Sequence, residues 1–323
     1  MVTMTQPPTH FDRRAYPNDA TLGLVYARDG WALRTFDWPV QAETSPRGSI
    51  LFQGGRGDII EKYLESFAAW HGENWHITAF DWRGQGGSGR LSSNPLVGHI
   101  EDFSVWIDDL ADFYADWVAR TPAPHVIIGH SMGGHLILRA LSEQRIAPDT
   151  AVLVAPMLGF HTAPLPVWIA RKAVAFMARV KPTDEPAWGK NEKPGVFLPS
   201  RQLLLTHDAA RYADELFWKD KIPSLTLGPP SWQWLRAANT SIAKMLVPGV
   251  IERINMPVLV IGTDGDKLVN PTAIVTFAAR IPRAILKMFD KSVAHEILRE
   301  CDAPRDGALE NIASFLTEYA PHP

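Results

Sequence analysis

The feature that most constrains this chain is a series of short, unbroken aliphatic runs, each followed by a helix-like stretch. "SILFQG" (49–54), "WHITAFD" (75–81), "HVIIG" (125–129), "TAVLVAP" (150–156) and "PVLVIG" (257–262) are the clearest. A strand exposed on one face alternates apolar and polar residues, and these do not. Continuous Val, Ile and Leu mark strands covered on both faces, as in a parallel sheet between two helix layers. The intervening segments repeat apolar residues at helical spacing. In 100–120, Phe103, Trp106, Ile107, Leu110, Phe113, Tyr114 and Trp117 fall on one stripe. "DIIEKYLESFAAW" (58–70) does the same with Ile60, Tyr63, Leu64 and Phe67. This alternation predicts an α/β fold with a mostly parallel central sheet and helices on both faces. Asp29-Gly30, between two strand-like runs, adds an N-terminal hairpin.

The rhythm breaks after Pro156. From 157 to 248 the chain is rich in Pro and Trp, with helical fragments and no clear strand. The expected organisation is therefore a loose arm at 1–20, a first core part at 21–156, a mainly helical cap inserted at 157–248, and a second core part at 249–323. With 323 residues, 46 % of them apolar, one such domain can be buried. A formal charge of -3 with no block of like charges argues against a nucleic-acid partner. The single cysteine, Cys301, excludes an intramolecular disulfide and fits a reducing compartment. No apolar run approaches a membrane span. The first residues lack a basic stretch followed by an apolar core, so no signal peptide is expected. A cytoplasmic location follows, at most peripheral at the inner face of the membrane. The oligomeric state is left open.

Between the run at 125–129 and the helix after it stands Gly129-His130-Ser131-Met132-Gly133. This is G-x-S-x-G in a strand–turn–helix context, the arrangement of a nucleophile elbow. The turn is so tight that side chains at the flanking positions would clash, hence Gly129 and Gly133. The helix start then points free N–H groups at the serine oxygen. A serine nucleophile needs a base, and the base an orienting carboxylate. The chain order expected on such a fold is Ser, acid, His. Asp264 and Asp266 both follow "VLVIG"; Asp266 is favoured, because apolar chain resumes directly after it and an Asp beside Gly often only shapes a turn. His295 follows the strand-like "AILKMF" (284–289), and of the 11 histidines only it and His322 lie beyond the acid. Oxyanion donors are expected from the backbone N–H of Met132 and, in the glycine-rich loop 54–58, of Arg56. "FDWRGQGGSGR" (80–90) lacks the spacing of a phosphate loop and reads as a tight structural turn. No metal motif is present, and neither metal nor cofactor is expected.

With these residues in place, the chain resembles the α/β-hydrolase superfamily and, within it, the bacterial lysophospholipase L2 and monoacylglycerol lipase group. "GGRGDIIEKY", "DWRGQGGSGR", "GHSMGG" and "AHEILRE" carry the resemblance. It implies an α/β-hydrolase fold, Ser131, Asp266 and His295 as a triad, and the Arg56 and Met132 amides as oxyanion hole. Gly54-Gly55 stands where monoacylglycerol lipases usually carry His-Gly, which tilts the expectation towards lysophospholipids. The expected partner is a lipid or ester small molecule, cleaved through an acyl-enzyme intermediate. The alternatives are a carboxylesterase or thioesterase for smaller acyl groups, and a non-catalytic receptor on the same fold.

The cap is expected to supply acyl specificity, with Trp188, Trp218, Trp232 and Trp234 as candidates for the pocket. Trp168, Phe176 and Met177 are further apolar residues there. Arg171, Lys172, Arg179 and Lys181 beside apolar residues make 167–181 a candidate for peripheral membrane contact.

Overall fold

The computed structural model describes residues 11–40, 45–162, 164–189 and 199–321. Residues 1–10 of the expected arm, and His322, lie outside them. Among the described residues eight strands form a single sheet. They are β1 (Thr21–Tyr26), β2 (Ala32–Trp38), β3 (Gly48–Gln53), β4 (Trp75–Phe80), β5 (His125–His130), β6 (Thr150–Val154), β7 (Val258–Thr263) and β8 (Ala284–Phe289). Their order across the sheet is β1-β2-β4-β3-β5-β6-β7-β8. β1 and β2 form the antiparallel hairpin expected around Asp29-Gly30, and β2 joins β4 antiparallel. All other pairs are parallel.

The unbroken aliphatic runs are explained by two cores. Successive strand side chains point to opposite faces. Leu51, Ile127, Leu153 and Val260 enter one core, and their neighbours Ile50, Ile128, Val152 and Ile261 enter the other. The first core is closed by α2 (Ser104–Arg120), α3 (Met132–Ser142), α7 (Trp232–Leu246) and α8 (Pro271–Ala278). The whole Phe103-to-Trp117 stripe is buried there. The second core is closed by α1 (Leu64–Gly72) and α9 (Asp302–Tyr319). The stretch expected as one helix over 58–70 divides into a 3-10 turn, Ile60–Tyr63, and α1. The start is held back by side-chain bonds to its backbone: the Asp81 carboxylate accepts from the Ile60 amide.

β6 ends at Val154, and its parallel neighbour β7 begins at Val258. The chain between them carries α4 (Val167–Val180), α5 (Pro199–Leu205), α6 (Ala209–Lys221) and α7, and contributes no strand to the sheet among the described residues. Residues 11–20 lie against α6: Arg13 and Arg14 pair with Asp214, and the Trp218 indole donates to the Arg13 carbonyl. Since the chain leaves β3 for β4 on one side and leaves β5 for β6 on the other, the loops after β3 and β5 diverge and leave a crevice at the carboxyl ends of the strands.

Candidate active site

Ser131 sits between β5 and α3, with φ 52° and ψ −115°, outside the regions an L-residue ordinarily occupies. The packing explains its two flanking glycines. A Cβ on Gly133 would lie 2.3 Å from the Gln53 carbonyl oxygen, and one on Gly129 2.7 Å from the Gly133 carbonyl carbon. The Ser131 amide donates to the Val154 carbonyl and the Ser131 carbonyl accepts from Met157, so the turn is clamped to the chain end of β6. The strain is thus held from both sides.

The loops after β5, β7 and β8 bring three side chains together. His295 Nε2 lies 2.9 Å from Ser131 Oγ, and His295 Nδ1 lies 2.5 Å from Asp266 Oδ2. The other Asp266 oxygen accepts from the Leu268 and Val269 amides, both at 2.8 Å, which fixes the carboxylate's orientation. Burial pushes the Asp266 carboxyl up, but the His295 ring and these amides outweigh it and hold its pKa below the ordinary value. Burial likewise disfavours charge on His295, yet Asp266 raises its pKa above that of free imidazole. Asp264 is exposed and makes no hydrogen bond to His295. Chemically, this arrangement can remove the hydroxyl proton of Ser131 and stabilise the resulting imidazolium.

The loop after β3 faces Ser131. The Asp58 carboxylate accepts from the Gly55 amide at 2.6 Å, and Gln85 Oε1 accepts from the Gly57 amide at 2.6 Å. The Arg56 guanidinium reaches the Gly228 carbonyl at 2.7 Å. Arg56 is therefore anchored on both sides of its own amide. Met132 opens α3, where the first N–H groups have no partner within the helix. The glycine-rich turn 80–90 supports this loop: Asp81 accepts from Ile60, Gly87 and Arg34, and burial lifts its pKa to about 6. Among the described residues no three of His, Cys, Asp and Glu are placed to hold a metal ion.

A sequence family described as "Serine aminopeptidase, S33" matches residues 44–302, from four residues before β3 to the start of α9. The chain belongs to this family. Lysophospholipase L2 of Escherichia coli strain K12 is 28 % identical over 273 residues, covering 82 % of this chain and 79 % of its own. Phospholipase YtpA of Bacillus subtilis is 25 % identical, covering 87 % and 99 %. Among solved structures, a soluble variant of monoglyceride lipase from Saccharomyces cerevisiae, in complex with a substrate analogue, superposes with a TM-score of 0.75. It covers 97 % of this chain and 99 % of its own at 19 % identity, so the likeness concerns the fold. That fold is the α/β-hydrolase fold, and the chain resembles the lysophospholipase and monoacylglycerol lipase group.

In this S33-family hydrolase Ser131 opens into a chamber of about 510 Å³. Met157, Phe160, Leu204, Leu268 and Val269 line its apolar side. Of the four tryptophans expected at a pocket, Trp188 and Trp234 line the chamber. Trp218 and Trp232 do not. Trp218 is fully buried on α6, where it packs on Tyr16 of the N-terminal segment. Trp232, at the first turn of α7, packs against the core instead. Trp168 and Phe176 are more than 60 % exposed on α4.

The other side of the chamber is ionic, which periodicity did not reveal. Lys62, Glu215 and Glu296 line it together with Asp58. Lys62 Nζ lies 2.5 Å from Asp58, 2.7 Å from Glu296 and 3.2 Å from Glu215, and Arg299 pairs with both glutamates. Burial opposes charge on Lys62, and the three carboxylates outweigh it, so its pKa is raised. Asp58 is held well below the carboxylate range by Lys62 and His130, against burial. Its Oδ2 takes the Tyr63 hydroxyl at 2.7 Å, and that hydroxyl lies 2.8 Å from His130 Nδ1. The His130 ring in turn sits 4.9 Å from the His295 ring. The sequence signal was weak: Lys62 and Glu296 are separated by most of the chain, and Tyr63 read as a core residue.

Proposed function

We propose that this protein hydrolyses the acyl ester of a single-chain lipid, a lysophospholipid or monoacylglycerol, with Ser131, His295 and Asp266 as catalytic triad. The single observation that carries the reading is the unbroken line of contacts from Asp266 through His295 to Ser131, opening on an apolar chamber. His295 Nε2 takes the Ser131 proton as Oγ attacks the ester carbonyl. The carbonyl oxygen becomes an oxyanion, received by the Arg56 and Met132 amides. Collapse expels the alcohol, to which His295 returns the proton. Water, deprotonated by the same nitrogen, then releases the fatty acid and frees Ser131.

The resemblance to lysophospholipase L2 supports the lipid substrate, and the chamber's two sides suit it: an apolar side for the acyl chain, an ionic side for a polar head. Residues 157–248 act in this reading as the cap that covers the acyl chain, flanked by core parts at 21–156 and 249–323. The exposed residues Leu165, Val167, Trp168 and Phe176, with Lys172 and Arg179 among them, would rest on the surface of an anionic membrane. No described helix is long and apolar enough to cross one. The test is a panel of lysophosphatidylcholine, lysophosphatidylethanolamine and monoacylglycerol, run beside p-nitrophenyl esters of increasing chain length. The reading requires release of fatty acid from the lipids, rates rising towards long acyl chains, and loss of both in Ser131→Ala. A rate peaking at acetyl or butyryl esters would favour a carboxylesterase or thioesterase instead.

A further inference from the structure

A second cavity of about 540 Å³ lies behind the catalytic chamber, between α4, α7, α8 and the loop carrying Asp266. It falls in the range of small-molecule sites, roughly 300–1,000 Å³. Phe160, Trp188, Leu235 and Leu268 line both spaces, which therefore adjoin. Most of its surface is apolar, from residues such as Leu158, Val174, Ile242 and Phe277. Its charged lining among the described residues is Arg171 and Lys267, with no Asp or Glu. Arg171 is half-buried on α4 at this lining. An arginine and a lysine beside an apolar lining favour an anionic group, which a guanidinium can hold in bidentate fashion. An occupant suited to this cavity is therefore apolar along most of its length and anionic at one end.

The cavity is also joined to the catalytic machinery. His161, in its lining, lies with Nε2 2.8 Å from the Asp266 carbonyl oxygen. Phe160 bridges to Val269, and the Asn270 amide donates to Gly159. A ligand here rests on the loop that holds the acid of the proposed triad.

We propose that this second cavity binds a fatty acid as its carboxylate, head at Arg171 and Lys267 and chain along the apolar lining, separately from the catalytic chamber. The anionic single-chain class follows from the lining; the choice of carboxylate rests on the proposed reaction, which releases one.

The test is titration calorimetry with dodecanoate on protein whose Ser131 has been blocked by a long-chain fluorophosphonate. One equivalent is expected to bind. Ala170→Trp, which fills the cavity from α4, should abolish that binding. Arg171→Gln should weaken it roughly tenfold, while leaving dodecanol binding unchanged. Blocked protein that takes up no dodecanoate, or two variants that bind as the wild type does, would overturn the proposal. Tighter binding of dodecyl phosphate than of dodecanoate would overturn the choice of carboxylate. If Ser131 refuses the label, the catalytic reading alone fails. The stoichiometry of unlabelled wild type against Ala170→Trp then decides the site: one equivalent lost sustains it, no change overturns it.

Discussion

Replacing Asp266 by Asn tests the arrangement around His295 with a change of a single atom. Asp266 accepts on both oxygens: Oδ2 from His295 Nδ1, Oδ1 from the Leu268 and Val269 amides. An asparagine keeps its oxygen on the two amides, because the alternative would point an NH₂ at two N–H donors. Its NH₂ then faces Nδ1 at 2.5 Å, a position now occupied by an acceptor. His295 must present Nδ1 as an acceptor and carry its proton on Nε2. Nε2–H faces Ser131 Oγ at 2.9 Å and can no longer take its proton. A wrong tautomer in such a triad costs about 10⁴ in kcat, or about 5 kcal/mol of transition-state stabilisation. Asp264→Asn, on an exposed side chain that does not touch His295, should stay within about twofold of wild type. Initial rates on a medium-chain p-nitrophenyl ester measure both, with thermal unfolding as control for the fold. A loss below about tenfold in Asp266→Asn, or a larger loss in Asp264→Asn, would exclude this role for Asp266.

Three other perturbations have definite outcomes. Gly133→Ala places a methyl 2.3 Å from the Gln53 oxygen and 2.6 Å from the Gly54 oxygen, so the loop carrying Arg56 must shift. A displacement near 1 Å should cost on the order of 100-fold in kcat/KM, with about 1–3 kcal/mol of stability; wild-type rates would refute it. Because His295, the proposed base, can accept a proton only when neutral and its pKa is raised, kcat/KM should rise with pH through a midpoint above that of free imidazole. A midpoint at or below free imidazole contradicts this. Lys62→Met leaves Asp58, Glu215 and Glu296 without their shared cation. Denaturant unfolding should show a loss of about 3–5 kcal/mol, and an unchanged midpoint would mean the network is not held together by Lys62.

Much of the frame was legible in the sequence because burial on both faces leaves a mark on every residue of a strand. β3, β5, β6 and β7 are buried along their whole length, and their aliphatic runs announced it. The α2 stripe was equally plain. Helix ends were less so. α9 begins at Asp302 and takes in Pro304, which a first turn tolerates although proline usually marks a helix boundary. The spacing and order of Ser131, Asp266 and His295 were readable, and the fold brings those three together. The ionic side of the chamber was not readable. Lys62, Glu215, Glu296 and Arg299 look like surface residues in any local window, and only the tertiary fold removes them from water. Trp218 and Trp232 show the converse limit: apolar composition says that a residue is covered, not what covers it.

In the proposed reaction Ser131 is a nucleophile activated in place. The most direct measurement is reaction with a fluorophosphonate probe followed by mass spectrometry of the digested protein. One adduct is expected, on the peptide containing Ser131, absent from Ser131→Ala and slowed strongly in Asp266→Asn. A folded protein that hydrolyses lysophospholipid with Ser131 unlabelled, or with Ser131→Ala fully active, would contradict it.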